Sequence, residues 1–214
     1  MTKYKFKNHD IKRNCNKQYT DYHSYKPYLQ NDFSHRCAYC NLKDDRITSY
    51  FDVDHFVPTD EFGKHQEYQY LETDYNNLIY SCHKCNLAKS QKFEGNLTVD
   101  PYANLKFYNP VDVDYNTVFY RDEKGNIGSD DELGIKMIHD LKLYHPIHNL
   151  NWICERLVLL CDRLERAIQD ETKDTERKKL LEEAHYQALK YKDKCYTIFI
   201  ANYNNSNFSI SNMT

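Results

Sequence analysis

Two pairs of closely spaced cysteines constrain this chain more than any other feature. Cys37 and Cys40 form one Cys-x-x-Cys pair, Cys82 and Cys85 form the second, and 41 residues separate the pairs. Each turn directs two sulfur atoms at one point, so two turns supply the four thiolates that tetrahedral zinc prefers. A shell of four cysteines leaves no position for substrate, which predicts a structural zinc ion. His83, inside the second pair, is interpreted as a surface residue because four thiolates already suffice.

Cysteine usage also indicates the compartment. The chain has eight cysteines, and residues 1–11 lack the apolar stretch of a signal peptide, so metal binding is favoured over disulfides. The longest apolar runs are too short to span a bilayer. We expect a cytoplasmic protein without membrane association. The other four cysteines are scattered and predicted to pack in the core: Cys15, Cys154, Cys161 and Cys195.

Charge and composition divide the chain into four predicted segments. Residues 1–36 hold eight Lys or Arg against three Asp, although the net charge of the 214 residues is −3. This segment is predicted to be either a basic arm that follows phosphates or a solvated, partly frayed terminus. Residues 37–128 carry the chemical signal as the predicted core. Residues 129–201 are predicted to be mostly helical, and residues 202–214 are predicted to be a disordered tail.

Twenty tyrosines are an unusual number for a chain of this length. Stacking on nucleic-acid bases is one use for such rings. Asn and Lys are also abundant, however, and this pattern favours a general compositional bias over a stacking surface.

Hydrophobic periodicity predicts a small number of strands followed by helices. Ser129 and Glu132 have capping-box spacing and are predicted to open a helix that stops before Pro146. In the last helix, Leu180 and Ala184 are among the residues expected to face inward. The predicted strands cover residues 50–57, 78–81 and 118–121, and the other predicted helices cover residues 85–93, 153–168 and 176–200.

The segment between the cysteine pairs carries a candidate catalytic group. Residues 51–58 read Phe-Asp-Val-Asp-His-Phe-Val-Pro. Strand alternation places Asp52 and Asp54 on the side opposite Phe51. Asp54 beside His55 combines a hard oxygen ligand for Mg²⁺ with a base that titrates near neutral pH. Asp52 is interpreted as a solvated strand residue, in preference to a second metal ligand.

A second polar group makes a family resemblance specific. Residues 74–79 read Asp-Tyr-Asn-Asn-Leu-Ile, and residues 82–89 read Cys-His-Lys-Cys-Asn-Leu-Ala-Lys. In order, the CxxC, Asp-His, Asn-Leu and CxxCNxxK elements of residues 34–93 resemble the zinc-containing HNH endonucleases. Weaker similarity at residues 100–102 and 117–143 resembles stand-alone bacterial HNH proteins, some of them associated with antiphage defence.

The resemblance implies an α+β fold. Its core would be a ββα-metal element (HNH, or His-Me finger) with a four-cysteine zinc knuckle, and a mostly helical C-terminal region would follow. His55 would be the general base, and Asp54 and Asn86 would hold one catalytic Mg²⁺ or Mn²⁺. Asn77 would hold the hairpin and orient His55. Lys89 could contact a substrate phosphate.

These assignments predict a metal-dependent endonuclease that hydrolyses phosphodiester bonds in DNA, with RNA left open as a substrate. One alternative is a zinc-dependent module that binds nucleic acid without cutting it. Asp54, His55 and Asn86 argue against that alternative, because binding alone needs neither a base nor a catalytic cation. Another is a nuclease subunit of a larger complex, without independent activity, whose C-terminal helices dock on a protein such as a defence-system ATPase or sensor.

Overall fold

The computed structural model describes residues 2–46 and 51–203 of the chain. The fold mixes helices and strands as predicted, and the C-terminal part is helical. Short 3-10 helices lie at Tyr22–Tyr25, Asp44–Arg46, Gln66–Glu72 and Tyr75–Asn77. The chain divides into two compact units, which are Met1–Glu123 with Ile127–Tyr144 and Lys124–Asn126 with His145–Thr214.

The first unit contains all five strands found in the described residues. Its elements are, in chain order, β1 (Tyr4–Lys5), α1 (Lys26–Asp32), β2 (Phe51–His55), α2 (Thr59–Phe62), β3 (Leu78–Cys82), α3 (His83–Lys89), α4 (Tyr115–Val118), β4 (Phe119–Arg121), β5 (Ile127–Ser129) and α5 (Glu132–Asp140). The second unit consists of α6 (Pro146–Asp170) and α7 (Thr175–Tyr203) with residues 124–126.

A two-stranded sheet and the helix after it form the ββα element that the resemblance implies. β2 and β3 pair antiparallel, from Phe51 opposite Cys82 to His55 opposite Leu78. Phe51 packs in the core, and Asp54 on the other face of β2 is buried as well because side chains of α3 cover it. Both faces of this small sheet therefore carry buried side chains, although Asp52 and Val53 in the middle of β2 remain partly exposed.

Several element boundaries differ from the predictions, among them the start of α6 at Pro146 where residue 153 was predicted. β2 ends at His55, and Tyr50, the first residue of the predicted strand, lies outside the described residues. α3 ends at Lys89, earlier than residue 93, because Ser90 has a φ of 50°, which a right-handed helix cannot continue through.

The N-terminal segment adds the edge strand of a second sheet. The strands of this second sheet are antiparallel and lie in the order β1-β4-β5. Phe6, just after β1, is buried and its ring centroid lies 5.4 Å from that of Phe119. Further along, Arg13 donates through Nη1 to the Leu78 carbonyl at 3.1 Å. Much of the segment predicted as an arm, residues 1–36, is thus attached to the core of the first unit.

The helix predicted to open at Ser129 begins later, and the predicted capping box is wrong. Asp131 is the N-cap of α5, since its carboxylate accepts a hydrogen bond from Gly134 N at 2.7 Å. Ser129 belongs to β5 and its hydroxyl donates to the Val118 carbonyl at 2.7 Å. Asp and Ser are about equally good N-caps. Position decides here, because the Ser129 hydroxyl is already bonded to the Val118 carbonyl while the Asp131 carboxylate reaches the first turn of the helix.

The second unit is a pair of long helices that pack against each other, joined by residues 171–174. Cys154 of α6 and Cys195 of α7 are buried, as expected for core cysteines. Leu180 and Ala184 are exposed, contrary to the inward orientation predicted for them. Only part of the apolar stripe of these helices is therefore covered.

The predicted tail covers residues 202–214. Asn202 and Tyr203 form the end of α7, and residues 204–214 lie outside the described residues. Within residues 2–46 and 51–203, none of the helices has the length and apolar content needed to cross a membrane.

Candidate active site

The four predicted zinc ligands converge. The sulfur atoms of Cys37, Cys40, Cys82 and Cys85 lie within 4.8 Å of one another, and all four residues are buried. Zn–S bonds of 2.3 Å in a tetrahedron require S–S distances of about 3.8 Å, and the Cys40 and Cys82 sulfurs lie 3.8 Å apart. Hydrogen bonds from the other three thiols lower the pKa of Cys82, whereas burial raises the pKa of Cys40 and hydrogen bonds within the cluster raise that of Cys85. The convergence of the four sulfur atoms therefore carries the argument for a metal. The cluster is consistent with a zinc site.

A tyrosine inside the first cysteine pair connects this cluster to the candidate catalytic strand. Tyr39 is fully buried, and its hydroxyl donates to Oδ2 of Asp54 at 2.7 Å. Burial and the neighbouring carboxylate raise the pKa of Tyr39, so the hydroxyl keeps its proton and remains a donor. Ala38 N donates to the Tyr80 carbonyl of β3 at 2.9 Å, which fixes the same turn against the hairpin.

A buried lysine holds the other oxygen of the same carboxylate. Lys89 is 0% exposed, and its Nζ lies 3.0 Å from Oδ1 of Asp54, which is itself 5% exposed. The same Nζ donates to the His55 carbonyl at 2.7 Å. Buried charges are stable only when paired and hydrogen-bonded, and both groups meet that condition here. One cation from α3 thus fixes two consecutive residues of β2.

The imidazole of His55 has a defined tautomer. Its Nε2 lies 2.9 Å from the backbone carbonyl of Glu72. A carbonyl can only accept, so Nε2 carries the proton and the neutral ring keeps a lone pair on Nδ1. The ring of Tyr22 packs edge-on against the imidazole, with centroids 4.7 Å apart. His55 is therefore oriented with Nδ1 as its basic atom.

Burial keeps this histidine neutral. Desolvation lowers the pKa of His55, and Lys89 acts in the same direction, whereas the Glu72 carbonyl and Asp54 oppose the shift. The net pKa lies below the ordinary value. A base that is neutral at physiological pH can accept a proton from water.

Asn77 cross-links the loop that follows the catalytic strand. Its Oδ1 accepts from Val57 N at 2.8 Å, and its Nδ2 donates to the Val57 carbonyl at 3.1 Å and the Leu71 carbonyl at 3.0 Å. Its own carbonyl accepts from Phe56 N at 2.8 Å. These bonds hold the backbone on the C-terminal side of His55.

The amide of Asn86 faces the first aspartate of the strand. Its Nδ2 lies 2.9 Å from Oδ2 of Asp52, and Nδ1 of His83 lies 2.9 Å from the same oxygen. Asp52 and Asn86 are partly exposed, whereas Asp54 is buried. Because Asp52 takes the donor end of the amide, the acceptor end of Asn86, Oδ1, points elsewhere.

Comparison with known proteins shows which family this region resembles. Residues 37–92 match the HNH endonuclease family. The match confirms the resemblance predicted from the motifs, and it covers the zinc cluster, the hairpin and α3. The chain is also similar to the Septu protein PtuB of Bacillus thuringiensis, with 33% identity over 94 residues. That alignment covers 39% of this chain, and the chain spans about a third (34%) of the length of the relative. No solved structure gives a significant match.

The HNH region brings most predicted site residues together in two neighbouring groups. Asp54, His55 and Lys89 form the buried group. Asn86 lies one helical turn before Lys89 and contacts Asp52. Asn77 lies on the other side of the strand end. The Nζ of Lys89 points inward, so the phosphate contact proposed for it requires a different position of this side chain.

Sequence reasoning missed three contributors to the HNH site and assigned a fourth, Asp52, to solvent. Asp52 shares its strand face with Asp54, and that two-residue spacing could have pointed to it. Tyr39 lies within the first cysteine pair, which brings it near the metal cluster. Glu72 and Tyr22 have no such signal, since both reach His55 only through the tertiary fold.

Proposed function

We propose that this protein is a metal-dependent HNH endonuclease that hydrolyses phosphodiester bonds in DNA, as an effector of antiphage defence in the cytoplasm. One observation carries the proposal. A neutral histidine, His55, presents Nδ1 as a base beside Asp54, within a ββα element held to a four-cysteine cluster. The HNH match over residues 37–92 supports a nuclease. The resemblance to defence-associated HNH proteins and the similarity to a Septu protein favour the role in defence.

His55 has the position and protonation state of a general base. Its Nδ1 accepts a proton from the attacking water, while Nε2–H remains bonded to the Glu72 carbonyl. That bond restrains rotation of the imidazole ring, so the base is already oriented before the reaction begins. Asn77 contributes by holding the backbone at Val57, two residues beyond the base.

The donor set suits a hard divalent cation. Asp54 and Asn86 offer a carboxylate and an amide oxygen, the ligand types that Mg²⁺ and Mn²⁺ take in proteins. Both oxygens of Asp54 already accept hydrogen bonds, from Tyr39 and Lys89, so a cation would use their remaining lone pairs or displace Lys89. Asp52 supports this assignment by holding Nδ2 of Asn86, which leaves Oδ1 as the coordinating atom. Such a cation, when bound, neutralises charge on the phosphate and on the leaving oxygen. Zinc is assigned separately to the closed shell of four cysteines.

Lys89 is proposed to act mainly from inside the site. Its Nζ compensates the negative charge of Asp54 and holds the His55 carbonyl. A direct contact with a substrate phosphate remains a prediction, for which Nζ would have to leave Asp54.

A protein partner is proposed for the helical second unit. Ile153, Leu159 and Leu160 of α6 expose apolar surface next to Arg156 and Arg163. A defence-system ATPase or sensor that covers this surface would control when cutting begins. This proposal rests on the resemblance and on the similarity to a Septu protein.

A cleavage assay tests the nuclease proposal. Wild type and His55→Ala would be incubated with supercoiled plasmid, linear duplex and RNA, with Mg²⁺ or Mn²⁺ and without either. We expect cleavage of DNA that needs the added cation and falls at least about a hundredfold in His55→Ala, the usual scale for loss of a general base. His65→Ala is the matched control, because His65 is an exposed histidine of the same unit. Equal activity of wild type and His55→Ala, at equal zinc content, would reject the assignment.

A further inference from the structure

An open groove of the first unit has four tyrosines among its lining residues, Tyr19, Tyr25, Tyr70 and Tyr75. Its volume is about 850 Å³. One wall is residues 15–20, and the other is Tyr70 with residues 73–76. Tyr25 also lines the groove, and its ring contacts Tyr19 of the first wall and Tyr75 of the second. We call this feature the tyrosine groove. A cavity of this size is comparable with ligand sites in proteins.

Both walls of the tyrosine groove lead to His55. The first wall continues directly into the 3-10 helix Tyr22–Tyr25, where the Tyr22 ring contacts the imidazole at 4.7 Å. In the second wall, Tyr70 and Thr73 flank Glu72 in the chain, and the Glu72 carbonyl lies 2.9 Å from Nε2 of the same ring. A polymer lying along the groove would therefore approach the proposed general base.

The rings of the tyrosine groove are accessible and held in place. Tyr70 is 46% exposed, and Tyr19 and Tyr75 are partly exposed. The guanidinium of Arg13 lies 3.8 Å from the centroid of the Tyr75 ring. The Tyr19 ring packs edge-on against the buried ring of Tyr25, with centroids 5.0 Å apart. The Tyr25 ring also contacts Tyr75, with centroids 5.2 Å apart. Tyr70 therefore offers the most exposed ring for stacking on a base.

The charges of the tyrosine groove do not oppose a polyanion. Lys17 is an exposed cation in the first wall, within a segment rich in Lys and Arg. Asp74 is the acid among the lining residues of the second wall, and both of its oxygens are engaged; the exposed Glu72 is a neighbouring acid outside the lining. Asp74 accepts from Asn76 N at 2.9 Å and from the Tyr102 hydroxyl at 2.6 Å. Donors on both oxygens reduce the field that this carboxylate presents to a phosphate.

We infer that the tyrosine groove binds a single-stranded segment of DNA and delivers it to His55. This inference rests on the proposed nuclease function and specifies its substrate. Aromatic side chains stack on the faces of unpaired bases, which a duplex keeps covered by neighbouring base pairs. The preferred target is therefore DNA with an unpaired stretch next to the scissile phosphate.

Fluorescence anisotropy of a labelled 15-nucleotide strand, and of the same strand in a duplex, measures this binding without cleavage. The full chain carrying His55→Ala would be used, with its zinc and without other divalent cations. We expect the single strand to bind at least tenfold more tightly than the duplex. Tyr70→Leu should weaken single-strand binding at least fivefold, whereas Tyr70→Phe should retain it because the ring performs the stacking.

Tyr144→Leu is the matched control. Tyr144 is a 58% exposed tyrosine of the same unit that lies outside the groove. Its loss should leave binding unchanged. Tighter binding of the duplex, or equal binding by Tyr70→Leu and Tyr144→Leu at equal zinc content, would overturn the inference.

Cleavage of the same oligonucleotides by otherwise wild-type protein separates this inference from the proposed function. Cleavage of the duplex alone, without Tyr70-dependent binding of single strands, would refute single-strand binding by the tyrosine groove and would leave the proposed nuclease function intact. Tyr70-dependent binding without cleavage of any substrate would refute the proposed nuclease function and would retain the tyrosine groove as a binding site for single strands. Cleavage of single-stranded DNA that falls in Tyr70→Leu would support both.

Discussion

Replacing the buried lysine of the HNH site should destabilise the first unit strongly. In Lys89→Met the aliphatic volume is kept, but Asp54 loses its ion pair and the His55 carbonyl loses a donor. Asp54 would remain 5% exposed with only the Tyr39 hydroxyl to compensate it. Removing one partner of a buried ion pair costs about 3–5 kcal/mol, so we expect a loss of that size in the free energy of unfolding.

Urea unfolding would measure the change. Near-ultraviolet circular dichroism of the tyrosines follows mainly the first unit, which contains 16 of the 20, and the fluorescence of the single tryptophan, Trp152, reports the second unit as an internal reference. Lys64→Met is the matched control, because Lys64 forms an exposed ion pair with Glu61. That substitution should change stability by about 0.5 kcal/mol or less.

A double-mutant cycle checks the physical reason. Asp54→Asn combined with Lys89→Met removes both charges, so the double variant should be less destabilised than the sum of the single variants by about 0.5–3 kcal/mol. Additive effects would show that Lys89 contributes packing and no charge pairing. A Lys89→Met variant as stable as Lys64→Met would refute the argument from burial altogether.

Three further predictions follow from the HNH site. Cys82→Ser should lose bound zinc and unfold the first unit, because a structural zinc site contributes on the order of 10 kcal/mol; elemental analysis that finds no zinc in the folded wild type would contradict this. The acidic limb of kcat/KM should have its midpoint below pH 6.5, because burial lowers the pKa of His55. Only the neutral base is active, so activity is lost as the pH falls through that lowered pKa. A pH profile with a midpoint above 7 would contradict this prediction. Asp52→Ala should raise the Mg²⁺ concentration for half-maximal activity several-fold at unchanged zinc content, because Asn86 loses the acceptor that orients its amide. A parallel Mn²⁺ titration followed by electron paramagnetic resonance should show the same weakening of binding. Unchanged cation affinity would show that Asp52 does not orient Asn86 for the cation.

The zinc cluster and the ββα element were predictable because their signals are local. A Cys-x-x-Cys turn brings its own two sulfurs together, so the fold needed only to bring the turn of Cys37 and Cys40 next to that of Cys82 and Cys85. Strand ends and the N-cap of α5 were less predictable. Ser129 and Asp131 both satisfy the local pattern of a cap, and the packing of β5 against Val118 decided between them.

The amino-acid sequence by itself determined the resemblance of residues 37–92 to the HNH endonucleases, the four cysteines and the residue types of the candidate catalytic group, because these follow from short, ordered motifs. The tertiary structure alone decided how that group is supported. It placed Lys89 inside against Asp54 and turned Asn86 toward Asp52. It also brought the Glu72 carbonyl to His55 from a separate segment of the chain. Hydrogen bonds between residues distant in sequence depend on how helices and strands pack, and no local spacing encodes that packing.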